Sequence, residues 1–181
     1  RGDLAKTNAK FLSEKESPLR LDDFLKFRAE FVEPIKASTS KGDLYNLPAP
    51  TQGISSLMIL ALFDKMGISK GDSFEHIHSL IEITKQVFLK RNLELGDPNY
   101  MSSSERDWLS EDILSGLLSK FNPNKALRWP YVPNKGDTVW MGAVDAEGTV
   151  VSFIQSVFWE FGSGLTCPET GVFFQNRGAG F

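Results

Sequence analysis

Hydrophobic residues fall at helical spacing over the front of the chain and crowd into two β-branched and aromatic runs near its end. Residues 4–15 carry apolar side chains at Leu4, Ala9, Phe11 and Leu12, which predicts a helix closed by Ser17-Pro18. Asp22 reads as the N-cap of a short helix running through Phe24, Phe27 and Ala29. Residues 31–37 and 44–47 read as strands separated by the turn Ser40-Lys41-Gly42-Asp43. Residues 54–66 are apolar on three sides of a helix, which places that helix in the interior, and Gly67 and Gly71 end it. Ser73 then caps a long helix whose apolar positions Phe74, Ile77, Leu80, Ile81, Thr84, Val87 and Phe88 keep helical spacing up to Gly96-Asp97-Pro98. A further short helix opens at Ser110 and passes Leu114, Leu117 and Leu118 to reach Phe121.

Prolines and a glycine in Asn122-Pro123-Asn124 and in Trp129-Pro130-Tyr131-Val132-Pro133-Asn134-Lys135-Gly136 favour an extended, exposed connection. Composition allows either an ordinary linker or a segment whose backbone must be reached and cut. The apolar runs 138–144 and 149–158 follow, flanking Asp145-Ala146-Glu147-Gly148, a hairpin signal. With Ala146-Glu147-Gly148 as a three-residue loop and Gly148 supplying a positive φ, Asp145 faces Thr149. Counting back along both strands sets Thr138 opposite Ser156, hydroxyl beside hydroxyl. By residue type alone Thr138 is an ordinary strand residue. Helices first and strands last make an α+β domain.

At 181 residues and 41% hydrophobic, the chain has material for one sizeable core and one compact unit, with nothing calling for a disulfide or a metal. A net charge of -3 gives no reason to expect nucleic acid or an acidic membrane surface as partner. Cys167 is the one cysteine, so no internal disulfide forms and the cytosol is favoured. No apolar run reaches the ~18 residues of a membrane span. His76 and His78 point about 200° apart on a helix and cannot share a metal. The beginning at Arg1 and the ending at Phe181 suggest a piece of a longer protein.

Thr138 seven positions before Asp145, the 145–148 turn, Phe161-Gly162-Ser163-Gly164, the turn from Pro168 to Gly171, and Asn176 together resemble the start of the catalytic subunit of the γ-glutamyltranspeptidase-like N-terminal-nucleophile (Ntn) hydrolases. Further back, Leu21-Asp22-Asp23-Phe24, the strand pair, His78-Ser79-Leu80-Ile81-Glu82 and Leu95-Gly96-Asp97-Pro98 resemble the end of that family's first subunit. There the loop matching 47–53 commonly reads P-P-P-S-S-G-G, so Thr51-Gln52-Gly53 is a departure. The resemblance implies an αββα sandwich, only part of it present here, and self-cleavage at the Asp137-Thr138 bond. Residues 1–137 then form the C-terminal part of the large subunit, and 138–181 the start of the small one, within one structural domain. The partner is the remainder of the precursor as a heterodimer, and no cofactor or metal is needed. The family's oxyanion-hole glycine pair would lie outside these residues.

Cleavage supplies what a threonine lacks. Its hydroxyl is a poor nucleophile, and the α-amine freed on the same residue is a base within reach. With a pKa of roughly 8 that amine is partly unprotonated near neutrality. In the γ-glutamyl enzymes the positions matching Asn176-Arg177 and Gly180 typically hold the substrate's ammonium with amide or carboxylate groups. Here Arg177 and Gly180 differ, and a guanidinium repels an ammonium while offering a planar fork to a carboxylate. Phe158 replaces a common Asn and narrows the pocket. These changes are similar to the branch that hydrolyses oxamate to oxalate and ammonia in purine-ring catabolism, with Thr138 and Ser156 catalytic and Asn176, Arg177 and Phe158 binding a small carboxylate amide. A γ-glutamyl transferase or hydrolase, an acylase for larger amides, and an inactive or unprocessed relative with a binding role stand as alternatives.

Overall fold

The computed structural model describes residues 2–130 and 138–180. Asp137 and most of the proline-bearing connection before it lie outside the described residues. Packing groups the chain into two compact units, Glu30–Tyr131 and the pair of segments Arg1–Ala29 and Val132–Phe181. This is a grouping by contact, separate from the covalent boundary expected after residue 137.

In the Glu30–Tyr131 unit everything surrounds one helix. Helix α3 (Gly53–Lys65) is apolar nearly all round, and Ile54, Leu57, Met58, Ala61 and Leu62 are buried, as the run of apolar residues predicts. Against it lie the hairpin β1 (Ile35–Thr39) and β2 (Gly42–Asn46), helix α4 (Phe74–Glu94), the 3₁₀ turn Glu105–Leu109 and helix α5 (Glu111–Leu118). Strand β1 alternates, Ile35 and Ala37 facing the core and Lys36 and Ser38 the surface. Trp108, 1% exposed, belongs to the same core, with the Lys90 ammonium 4.5 Å from its ring. Gly53 is held by close approach, since a Cβ there would run into Leu47 O and the Asn46 side chain.

Strand β1 begins at Ile35, four residues later than the apolar pattern predicts. Pro34 has no N–H to give a ladder, and the carbonyls of Glu33 and Pro34 are taken by the Arg106 guanidinium. Helix α4 starts as predicted, Ser73 Oγ accepting from His76 N–H at 3.1 Å. Its buried face differs from the apolar stripe in the sequence: Ser79, Glu82, Ile83, Gln86 and Val87 are covered, while Phe74, Ile77 and Ile81 are exposed. The two histidines sit against different neighbours, His76 edge-on to Phe63 at 5.0 Å and His78 stacked on Phe74 at 5.1 Å.

The other unit pairs helix α1 (Gly2–Glu14) and the short α2 (Leu21–Lys26) with the C-terminal segment. Asp22 does not cap α2: Arg20 holds the cap position, and the Asp23 carboxylate reaches back to Arg20 N–H at 2.7 Å. Asn8 Oδ1 on α1 accepts from Thr170 Oγ1 at 2.7 Å, Phe11 stacks on Phe174 at 6.2 Å, and Cys167 is fully buried. Among the described residues no helix is long and apolar enough to cross a membrane.

Two glycines should respond oppositely to alanine. Gly53→Ala must push backbone aside and should cost about 1–3 kcal/mol, whereas Gly116→Ala, inside α5 with open space around it, should stabilise by about 0.5–1 kcal/mol. Melting temperatures of the whole protein, lower for the first and higher for the second, check both.

Candidate active site

The site is built on one hairpin whose register is set at its turn. Strands β3 (Val139–Val144) and β4 (Val150–Gln155) pair antiparallel, from Val144 opposite Val150 to Val139 opposite Gln155. Asp145 fixes the turn from both sides: its carbonyl accepts from Gly148 N–H at 3.2 Å, and its Oδ1 from Glu147 N–H at 3.0 Å and Thr149 N–H at 2.8 Å. Gly148, at φ 85°, supplies the left-handed residue of the three-residue loop. The Thr149 N–H first, and its other hydrogen bonds after, hold the Asp145 carboxyl below its ordinary range.

Following that register one pair beyond β3 brings Thr138 to Ser156, and the two hydroxyls meet, Thr138 Oγ1 donating to Ser156 Oγ at 3.0 Å. Further along the hairpin Trp140 Nε1 donates to Ser152 Oγ at 2.9 Å.

The second apolar run does not stay a strand to Phe158 as its composition predicts; β4 ends at Gln155. Ser156 ends it, because its Oγ also accepts from Phe158 N–H at 3.0 Å, a local bond that competes with the ladder. Phe158 takes φ 83°, a costly conformation for a bulky side chain, of order 1–3 kcal/mol. Asn176 braces the bend, its N–H donating to Val157 O at 3.2 Å and its Oδ1 accepting from Trp159 N–H at 3.1 Å. Phe158 stacks on Trp159 at 5.9 Å, and the Arg177 guanidinium lies 5.4 Å from the Phe158 ring. Gly162, at φ 53°, lets the chain return past this bend, since a Cβ would meet Phe174 O at 2.8 Å.

Thr138, Ser156, Phe158, Asn176 and Arg177 thus form one connected group. Thr138 and Arg177 are exposed, while Ser156, Phe158 and Asn176 are half-buried. Asp137 lies outside the described residues. The sequence reading missed the Phe158 N–H as the second donor to Ser156 and Asn176 as the brace of the bend. A serine closing a β-branched run two residues before an aromatic side chain was the available signal.

Helices on one side of the chain order and a hydroxyl-bearing hairpin on the other make an α+β arrangement, and it is part of a known one. The chain superposes over its full length on a cephalosporin acylase from Bacillus halodurans with a TM-score of 0.82 at 31% identity, covering 33% of that chain. A γ-glutamyltranspeptidase from Pseudomonas nitroreducens shares the fold over 71% of this chain, with a TM-score of 0.63. The sequence profile of gamma-glutamyltranspeptidase matches residues 1–181, and the chain belongs to that family. It is 38% identical over its full length to the oxamate amidohydrolase proenzyme of Klebsiella pneumoniae subsp. pneumoniae, and 34% identical over 99% of its length to a glutathione hydrolase-like proenzyme of Bacillus subtilis. It spans about a third of the length of these curated relatives, 34% in each case.

The Asp145 turn should be acid-sensitive. A carboxyl whose pKa is lowered by folding contributes stability that is present above its unfolded value, about 4, and is lost as pH falls through the lower folded one. Amide shifts of Glu147 and Thr149 followed by NMR should stay native down to about pH 4 and move below it; with Asp145→Ala they should be displaced already at neutral pH.

Proposed function

We propose that the whole protein is a self-processing amidohydrolase that cuts itself between Asp137 and Thr138 and then uses Thr138 as nucleophile on a small carboxylate amide, oxamate being the best candidate. The observation that carries this reading is the 3.0 Å bond between Thr138 Oγ1 and Ser156 Oγ, which fixes the rotation of the threonine side chain. Residues 1–137 become the end of one fragment and 138–181 the start of the other, and the two remain together as a heterodimer. Val139, Trp140, Val144, Val150, Phe153 and Ile154 are all more than half exposed on β3 and β4, which supports burial of this hairpin by the remainder of the precursor.

The steps follow from the groups on the hairpin. The freed α-amine of Thr138 takes the hydroxyl proton as Oγ1 attacks the amide carbon, forming a C–O bond and a tetrahedral oxyanion. Collapse breaks the C–N bond, the nitrogen leaves as ammonia with that proton, and an ester on Thr138 remains. Water, deprotonated by the same amine, attacks the ester carbon and frees the acid and the hydroxyl. Ser156, itself fixed by Phe158 N–H, orients the nucleophile throughout. Arg177, carried on the Phe158 ring, pairs with the carboxylate next to the scissile amide, and Asn176 and Phe158 shape that end of the site.

Likeness to a cephalosporin acylase and to a glutathione hydrolase-like proenzyme favours a second reading, hydrolysis of a larger or γ-glutamyl amide. The arginine argues against it where the substrate would bring an α-ammonium group.

Full-length wild-type protein should give two masses dividing at 137–138, and Thr138→Ala a single uncut mass with no turnover; an alanine variant that still matures removes the reading. Arg177→Gln should raise KM for oxamate about ten- to a hundredfold, the loss expected for one charged hydrogen bond, with processing unchanged. A preference for γ-glutamyl-anilide over oxamate in a substrate panel would instead support the second reading.

A further inference from the structure

The turn from Pro168 to Gly171 is a motif that the chemistry above leaves unused. It closes a second, short hairpin: Cys167 N–H donates to Val172 O at 2.9 Å, Thr166 bridges Phe173, and Phe174 N–H donates to Leu165 O at 3.0 Å. Across the tip Gly171 N–H donates to Cys167 O at 2.8 Å, with Gly171 at φ 67°. Both ends of this hairpin touch α1. At the tip Thr170 Oγ1 donates to Asn8 Oδ1 at 2.7 Å, and at the base Phe174 stacks on Phe11 at 6.2 Å. Asn176 and Arg177 follow Phe174 directly in the chain, after Gln175.

Asn8 makes the contact specific. It is buried on a helix whose other buried residues are Ala5, Ala9 and Leu12, so it is the polar member of an otherwise apolar set. A buried amide is costly unless it is paired, and the Thr170 hydroxyl is the partner that this turn brings to it. The same helix adds charge. The Glu169 carboxyl in the turn is kept below its ordinary range by its own backbone N–H first, then by the Cys167 thiol at 3.3 Å, with Lys10 of α1 contributing its charge. The Thr138 end of the site is held by other means, the β3–β4 register and the Phe158 N–H bond to Ser156.

We propose that Asn8 and Phe11 are positioning residues for substrate binding: by seating the 167–172 turn and Phe174 on α1, they fix where Asn176 and Arg177 stand beside the Phe158 bend. The inference rests on the reading of Asn176 and Arg177 as the carboxylate-binding end of the site. An arginine on a fixed backbone has less freedom to lose when it pairs with a carboxylate, so the anchor raises affinity without touching substrate. On the same reading α1 belongs to the large fragment and the short hairpin to the small one. The two fragments then meet at a contact that bears on substrate affinity.

The test uses the full-length protein and two readouts. Hydrogen exchange of the peptide covering 165–176, followed by mass, should quicken about fivefold with Asn8→Ala, the loss of one neutral hydrogen bond, while the β3–β4 peptide keeps its protection. KM for oxamate should rise by about the same factor with kcat unchanged, because Ser156 and Thr138 keep their own hold. Phe11→Ala should act in the same direction. Thr170→Ser keeps the hydroxyl and should match wild type in both readouts. Asn8→Ala combined with Thr170→Val should be no worse than Thr170→Val alone, as expected when the two act through one bond. Unchanged exchange of the 165–176 peptide in Asn8→Ala would overturn the seating. Quickened exchange with KM unchanged, or with kcat falling in step, would overturn the role in binding. Wild-type protein that does not turn over oxamate would overturn the substrate reading and the binding role with it, leaving exchange to decide whether α1 seats the turn.

Discussion

The carboxylate of Asp145 decides where every residue of the β3–β4 ladder falls. It closes the turn by accepting two backbone N–H groups, and Gly148 completes the loop in a conformation that costs other residues energy. A slip of one residue would turn every side chain of one strand to the opposite face. Thr138 would then lose Ser156 altogether. The contact between the two hydroxyls, at the far end of the hairpin from Asp145, is thus a consequence of turn chemistry.

At that far end the chain does the opposite of continuing. Ser156 spends its side-chain oxygen on Phe158 N–H, the ladder stops, and Phe158 is held at a positive φ. Strain of that kind persists where the surroundings over-determine it. Here Asn176 ties Val157 and Trp159, and Gly162 admits the returning chain. The same bend that fixes the serine also brings the Phe158 ring beneath Arg177. The setting of the Ser156 hydroxyl that meets Thr138 and the place of the Arg177 guanidinium are products of one local distortion.

The Glu30–Tyr131 unit contributes a frame of a different kind. Its core is centred on α3, and α4 uses its covered face partly for polar work, gripping Leu127 through Glu82 and Lys85. The apolar residues left exposed on α4 and on both faces of the hairpin are those of a chain that spans about a third of its relatives' length.

Local signals determined much of this. A serine before an apolar run caps α4, an unbroken apolar stretch makes α3 the buried helix, and Asp145 with Gly148 sets the register that joins Thr138 to Ser156, because each acts within a few residues of itself. Family membership was equally legible, carried by Thr138, the turn and the glycines that follow. Tertiary structure decided the rest. Which face of α4 is covered depends on where α3 lies, so Phe74 and Ile81 stay outside while Glu82 goes in. Strand β1 starts late because Arg106, some seventy residues on, takes the carbonyls before it. The hold on Leu127 joins residues 45 and 42 positions apart, a distance no periodicity records and only packing can close.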